Sequence, residues 1–522
     1  MKRIIFSLIL LLTAAQAFAQ GPSWSQSELD DYVARVMKEF EVPGVSVAIV
    51  KEGKVIVAKG YGVRKLGEST PVDSKTLFGI ASNTKAFTAT ALALLAEEGK
   101  INWEGRVIDY LPWFQLSDPF VTRELNVRDL LVHRSGLGLG AGDLLWWPPS
   151  TYDRKEIARR LRYLPLVTSF RSAYAYDNVL YTVAGELIET ISGQTWEEFV
   201  EKRILEPVRM TTSRVCESDA EASGNVATTH ARVDGKVQVV KPFTSDNTNP
   251  AGGICSNADD MAKWMIVQLD SGRISSDKRL FSARTAAELW AMVVPLSTSN
   301  PPPELAPARA NFNGYALGFG VRDYRRYKMV THTGGLPGYV SRVTLMPELK
   351  LGVTVLTNQE AGGAFNAITY YVLDRYLGAP KHDWLTAIET VQARSDSAAM
   401  SAEKLAVASR DVNSKPSLSI EKYAGTYRDA WYGDVAITQE GDKLVIRFTK
   451  TPALVGNLEH WQYDTFVARW RDRELRADAY VTFALNPDGS IDQVKMKAVS
   501  PATDFSFDFQ DLLLKPVPVG SK

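Results

Sequence analysis

From Ala86 to Ala96 the chain is apolar at almost every position, with only Thr88 and Thr90 interrupting. A helix without a polar face has to be buried, so this run predicts a core helix that stops at Glu98-Gly99. Ser27 to Phe40 is patterned differently. Leu29, Val33, Val36, Met37 and Phe40 recur at intervals of three and four, which predicts an amphipathic helix. Val45–Val50 and Lys54–Ala58 flank a Glu52-Gly53 turn and predict two paired strands. Helix and loop signals fill Asn102 to Pro307, including helices over Val179–Ile191 and Asp259–Leu269. Strand signals resume at Tyr315–Val321, Lys328–Thr331, Val340–Met346 and Gly352–Asn358, and a last helix spans Phe365–Leu377 before Gly378 and Pro380. Strands at both ends with helices between predict an α+β fold: one antiparallel sheet flanked by helices, with a helical region inserted in the middle.

Residues 381–417 are polar and weakly patterned and read as a linker. Beyond them the period becomes two. Val435 and Ile437 alternate, as do Leu444, Ile446 and Phe448, then Val481, Phe483 and Leu485, and Phe505, Phe507 and Phe509 near the end. Residues 418–522 therefore predict a separate all-β, barrel-like domain.

The N-terminus is patterned for targeting rather than for structure. Lys2-Arg3 precedes an apolar run from Ile4 to Ala15, and Ala17-Phe18-Ala19 is a small-x-small cleavage pattern. Residues 1–19 read as a cleavable signal peptide, so the expected mature protein starts near residue 20 and is periplasmic or secreted, without a stable membrane anchor. The α+β region then spans residues 20–380. Formal net charge is zero, with no basic run, which argues against nucleic acid as a partner. There are five histidines, no H-E-x-x-H and only two cysteines, so no metal and no cofactor is expected. Cys216 and Cys255 leave a disulfide and two thiols equally open.

Candidate chemistry begins at Ser82-Asn83-Thr84-Lys85, directly before the apolar helix. S-x-x-K also starts at Ser275, Ser401 and Ser419, in polar surroundings. Ser82 opens a core helix and Lys85 lies one turn on, on the same face. Free N–H groups at a helix start stabilise a serine oxygen that gains negative charge. A lysine in an apolar site has a lowered pKa, and its neutral amine can take the hydroxyl proton. Tyr176-Asp177-Asn178 precedes the Val179 helix. A tyrosine beside the amine can carry partial phenolate character and serve as base, and Asn178 can orient the lysine and an amide-like substrate. His332-Thr333-Gly334-Gly335 ends a strand. Its glycines allow a substrate to approach the backbone, the Gly335 N–H can join the Ser82 N–H in an oxyanion hole, and His332 and Thr333 can meet the substrate's polar end. Each motif alone also reads as a helix cap, a core tyrosine or a strand-end turn. His133 to Leu137 reads mainly as a structural turn. Trp146-Trp147-Pro148-Pro149 lines a cleft or lies under the second domain.

The order S-N-T-K, H-R-S-G-L, Y-D-N, H-T-G resembles the serine β-lactamase and penicillin-binding-protein superfamily, nearest its class C-like branch of esterases and D-aminopeptidases. Ile204 to Met210, Pro250 to Gly253 and Gly334 to Asn358 extend the resemblance, which covers Ser27 to Gly378. The tail, with Tyr423-Ala424-Gly425-Thr426-Tyr427, resembles the lipocalin-like domain often fused to that branch. The resemblance implies a β-lactamase-like fold, with Ser82 as acylated nucleophile, Lys85 as its activator and Tyr176 and Asn178 as the Y-x-N pair. His332, Thr333 and Gly334 match the third motif, with Gly335 as second oxyanion donor. Two positions depart from it. His332 stands where a lysine is usual, replacing a permanent cation by a group mostly neutral at pH 7, and Asp177 stands where Ser or Ala is usual.

The expected function is an exported serine hydrolase working through an acyl-enzyme on an ester, an amide or a D-amino-acid-containing peptide. β-Lactamase or DD-peptidase activity, and a non-catalytic penicillin or peptide receptor, are the alternatives. The expected partner is a small-molecule or peptide substrate, with homo-oligomer formation through the C-terminal domain as a further expectation. An α/β-hydrolase is discounted: no serine has both glycines of G-x-S-x-G, and Gly44-Val45-Ser46-Val47-Ala48 comes nearest.

Overall fold

The computed structural model describes residues 25–215 and 222–518. Residues 1–19, expected from the sequence to be a signal peptide, and Cys216 lie outside these residues.

Eight antiparallel strands form the central sheet: β1 (Gly44–Lys51), β2 (Lys54–Gly62), β3 (Val294–Leu296), β4 (Asn313–Tyr315), β5 (Gly320–Tyr324), β6 (Tyr327–Leu336), β7 (Tyr339–Met346) and β8 (Leu351–Thr357), in the order β2-β1-β8-β7-β6-β5-β4-β3. The N-terminal hairpin is thus completed from the far end of the domain, with Val47 opposite Val355. Strand β1 is buried on both faces, and alternation divides its side chains between two cores. Val45, Val47 and Ile49 join Val353, Val355 and Ile368 on one side; Ala48 and Val50 join Phe87 and Met265 on the other.

Helix α1 (Gln26–Glu39) and helix α5 (Gly362–Leu377) cover the first side. Ser25 caps α1, and Glu28 closes the capping box from the third position. The second side carries α2 (Thr84–Glu97), α3 (Val179–Ser192) and α4 (Ala258–Leu269), with the inserted helical region between β2 and β3. Helix α2 is buried from Thr84 to Leu95, as its lack of a polar face requires. Phe87 stacks on Trp264 with ring centroids 4.0 Å apart. Burying a phenylalanine of this kind contributes about 2–3 kcal/mol.

Three sequence expectations change. The strand expected over Tyr315–Val321 is split, because Gly318 at φ +76° turns the chain and brings it onto the carbonyl of Lys85. The expected linker contains a 25-residue helix, α6 (Trp384–Ala408). Only Trp384, Ala387 and Ile388 of it are buried, so most of the helix lacks an apolar stripe and gave no periodic signal. The alternating Phe505, Phe507 and Phe509 stand on a loop and a short 3-10 turn instead of a strand.

The C-terminal domain is a nearly closed antiparallel barrel of β9 (Gly425–Asp429), β10 (Gly433–Glu440), β11 (Lys443–Phe448), β12 (Val455–Gln462), β13 (Thr465–Trp470), β14 (Ala479–Leu485), β15 (Ile491–Ala498) and β16 (Lys515–Pro516). β16 pairs with β9, and a Val494–Leu514 bridge brings the two ends of the sheet together. This barrel shares a continuous apolar core with the inserted helical region. Tyr152 donates its hydroxyl to the Tyr432 carbonyl, Arg160 donates to the Trp431 carbonyl at 3.0 Å, and Trp147 meets Phe507 edge to face.

Candidate active site

The position of Ser82 is fixed by an unusual peptide before it. Ala81 has φ +50°, a left-handed conformation that costs an alanine about 1–2 kcal/mol. It is held there from both flanks. The Ile80 N–H donates to the Ile254 carbonyl at 2.9 Å, and the Ile80 carbonyl accepts from the Ser341 hydroxyl at 2.7 Å. Asn83 donates its amide to the same Ser341 oxygen at 2.8 Å. Gly334 allows this close approach, since a Cβ there would lie 2.3 Å from the Ile80 oxygen. A 3-10 turn over Ala81–Asn83 then leads into α2.

Lys85, fully buried on the first turn of α2, donates to three oxygens: the Ser82 hydroxyl at 2.9 Å, the Asn178 side-chain carbonyl at 2.7 Å and the Ala251 carbonyl at 3.0 Å. The rings of Tyr176 and Tyr181 lie 4.9 and 5.1 Å from its nitrogen. Burial pulls the amine down to about 7, against the opposing charges of Asp143 and Asp177. A neutral amine is therefore accessible near neutral pH, and it already touches the hydroxyl it would deprotonate.

Asn178 stands at the start of α3, but its side chain makes no capping bond. Its amide nitrogen instead donates to Asp143 at 2.9 Å. The capping role falls to Asp177, whose carboxylate accepts from the Leu180 N–H at 3.3 Å. Asp177 is fully buried beside His133, which accepts from the Asp177 N–H at 3.2 Å.

Tyr176 lines the cleft and engages the Ser82 side chain. Burial pushes its phenol well above the ordinary value. Burial thus works against the partial phenolate character expected from the sequence, while Lys85 touches Ser82 directly.

His332 to Gly335 form the end of β6, as the sequence predicts, but the role of His332 differs from expectation. His332 donates Nδ1–H to the Thr333 carbonyl at 2.6 Å, and its Nε2 accepts from the Tyr315 hydroxyl at 2.8 Å. Both ring nitrogens are occupied, so His332 offers the substrate an apolar ring edge in place of a polar contact. Burial and the nearby Lys85 charge lower it to about 3, and it stays neutral. Gly334 serves the helix start, as above, and Gly335 has open space around it at the cleft. Thr333 is exposed there.

These residues surround a cavity of about 320 Å³. Trp146, Trp147 and Phe243 form one wall, with Trp147 stacked on Phe243 at 5.1 Å. The tryptophan pair thus both lines the cleft and lies under the second domain. Phe505 of the barrel forms the facing wall, edge-on to Tyr176 at 6.0 Å. The barrel also reaches the hydrogen-bond network around Lys85 and Asn178. Ser506 donates to Asp143 at 2.9 Å, and Asp508 accepts from the Gly142 and Leu144 N–H groups at 2.6 and 3.0 Å. Burial raises Asp143 to about 7 and Asp508 well above the ordinary carboxylate range.

Sequence reasoning missed Asp143, Phe243, Ser506 and Asp508. The glycine-rich run ahead of Asp143, with Gly136, Gly140 and Gly142 all at positive φ, was the one local sign of a constrained loop there. Among the described residues, no three His, Cys, Asp or Glu side chains gather to hold a metal ion. The other three S-x-x-K serines are exposed, as are their lysines.

Comparison with known proteins agrees with this fold. The beta-lactamase family model matches residues 29–377, and a domain of unknown function, DUF3471, matches residues 409–516. The unguisins hydrolase ungD of Aspergillus violaceofuscus is 27% identical over 490 residues, covering 88% of this chain and 85% of that protein. Among solved structures, the octameric penicillin-binding protein homologue from Pyrococcus abyssi superposes with a TM-score of 0.60 at 21% identity, over 94% of this chain and 100% of its own. The D-amino acid amidase from Ochrobactrum anthropi superposes with a TM-score of 0.55 at 21% identity, over 70% of this chain and 99% of its own. Both share the fold.

Proposed function

Since this chain belongs to the beta-lactamase family of serine hydrolases, we propose that it hydrolyses an ester, an amide or a D-amino-acid-containing peptide through an acyl-enzyme on Ser82. The observation that carries this reading is the 2.9 Å contact between a fully buried lysine amine and the serine hydroxyl at the floor of an open cleft. Neutral Lys85 takes the Ser82 proton as the oxygen attacks the substrate carbonyl. The tetrahedral oxyanion is held by the Ser82 and Gly335 N–H groups, and losing one such donor costs roughly 10²–10³ in rate. Collapse breaks the bond to the leaving group, which takes a proton from Tyr176, itself reprotonated from Lys85. Water then attacks the acyl carbon by the same proton path in reverse and regenerates Ser82.

The named activities of the relatives, on unguisins and on D-amino acid amides, support an amide bond as substrate. A carboxylate-bearing β-lactam or DD-peptide suits the cleft less well, because His332 is neutral and spends both ring nitrogens inside the protein. An intact Ser82–Lys85 pair counts against a receptor that binds without turnover.

The deciding experiment is turnover of a nitrophenyl ester and of amino acid amides, with mass spectrometry for the covalent adduct. Ser82→Ala should abolish both turnover and adduct; wild-type-like activity in that variant ends the proposal. Export through residues 1–19 is part of the same reading, checked by the N-terminal sequence of protein recovered outside the cytoplasm. A lipocalin-like role for the barrel and self-association through it are likewise proposed, the latter tested by light scattering on the full chain and on a barrel surface variant.

A further inference from the structure

A second cavity, of about 460 Å³, opens on the side of the sheet covered by α1 and α5, opposite Ser82. Its charged lining is cationic: Arg322 on β5, half-buried, and Arg309, exposed. No aspartate or glutamate lines it. Arg342 on β7 is buried just behind, with its guanidinium carbon 5.0 Å from the centre of the Tyr370 ring that lines the cavity. The nearby Arg325 is matched by Asp374 at 2.6 Å, but among the described residues no carboxylate pairs with Arg309, Arg322 or Arg342. The groups that Arg322 and Arg342 touch are neutral. Arg322 donates to the Ala308 carbonyl, and its Nε, shut off from solvent, has no partner. Arg342 donates to the Thr344 hydroxyl at 3.1 Å and to the Asn366 side-chain carbonyl, which leaves the Asn366 NH2 as a donor at the cavity. A guanidinium taken out of water without an anion is costly. Tyr370 registers this charge: burial raises its phenol, yet Arg342 and then Arg322 hold it below the ordinary value. The first turn of α5 adds to the field. Gly362 and Gly363 line the cavity, that turn carries no acid, and no side chain caps it.

We propose that this cavity binds a small amphiphilic anion, a carboxylate or a phosphate monoester, with its oxygens between Arg322 and the first turn of α5 and its apolar part against Leu305, Ile388 and Val391. A guanidinium fork fits either head group with paired hydrogen bonds. The three apolar side chains line the same space, two of them from α6, and its volume suits a small molecule. The occupant is a ligand and not the substrate, because Ser82 lies across the sheet. The helix that broke the expected linker thereby gains a role: α6 closes the apolar side of the site.

The test is isothermal titration of the full-length protein near pH 7, at low salt to limit screening, with hexanoate, hexyl phosphate, hexanol and hexylammonium. Saturable binding to a single site is expected for hexanoate, hexyl phosphate or both, and the tighter of the two assigns the head group. Hexanol and hexylammonium, which have the same chain without the negative charge, should not bind measurably. Arg322→Gln should weaken the anion about tenfold or more, the scale of one charge-assisted hydrogen bond. Val391→Glu, at a half-buried position on α6, puts a carboxylate into the same space and should abolish binding while the protein still unfolds near the parent's temperature. That variant locates the site even where Arg322→Gln fails to fold. Hexanol or hexylammonium binding as tightly as the anions, anion binding that survives Val391→Glu, or no binding of either anion at millimolar concentration overturns the proposal.

Discussion

Asp143 lies 2.9 Å from the Asn178 amide nitrogen, and that contact decides which end of the amide faces Lys85. Asp143 accepts on both oxygens, from Trp146 on one and from Ser506 on the other, and Lys85 can only donate, so the amide presents its NH2 to Asp143 and its oxygen to the lysine, 2.7 Å away. The same carboxylate supplies negative charge that favours the charged form of Lys85. Asp143→Asn removes both effects. We expect kcat to fall about 10- to 100-fold, on the scale seen when an orienting partner is lost. The pH at which activity develops should move downward, because the lysine loses a charge that holds its proton. Steady-state kinetics across pH checks this; an unchanged profile would show Asp143 to be uncoupled from the amine.

Activity in the parent should rise with pH through about 7, where Lys85 loses its proton. The direction follows from desolvation: burial disfavours the ammonium, and only the neutral amine can accept from Ser82. Lys85→Arg keeps the charge but cannot lose it at any working pH, so it should be inactive. kcat/KM against pH for both proteins is the measurement, and an arginine variant with substantial turnover would assign the base elsewhere.

Two adjacent glycines should respond oppositely. A Cβ at Gly334 would sit 2.3 Å from the Ile80 oxygen, while at Gly335 the nearest atom is 4.0 Å away. Gly334→Ala should cost about 1–3 kcal/mol of stability and displace Ser82. Gly335→Ala should melt like the parent. Thermal unfolding of the pair distinguishes a packing role from one at the cleft.

The hydrolase half was largely legible. The apolar run after Lys85, the amphipathic helix before β1 and the β-branched strands each carry a period that local sequence displays. So did the grouping of Ser82, Lys85, Tyr176 and Asn178, because each stands at or near a helix start. What stayed hidden depends on distant partners. Nothing local shows that His332 is enclosed by Tyr315 and the Thr333 carbonyl, or that Asp143 answers to Ser506 across 363 positions of chain. Helix α6 was missed for the opposite reason: it buries three residues and so has almost no apolar pattern to read.

The barrel contacts separate energetically. Ser506→Ala removes one hydrogen bond to Asp143, worth about 1 kcal/mol, and should lower kcat only several-fold. Asp508→Ala strands the Gly142 and Leu144 N–H groups inside the protein and should cost about 2–4 kcal/mol. Urea unfolding together with kcat reports both; equal effects would mean that the loop acts as one rigid unit.

Because Phe505 and Ser506 complete a pocket whose serine lies far upstream, that pocket stays open on one side until the last part of the chain has been made. Ser82 and Lys85 are synthesised well before the barrel that walls them in. A ribosome-bound or truncated chain would hold the reactive pair without the enclosure that selects its substrate, so competence arrives late, at the docking of the second domain.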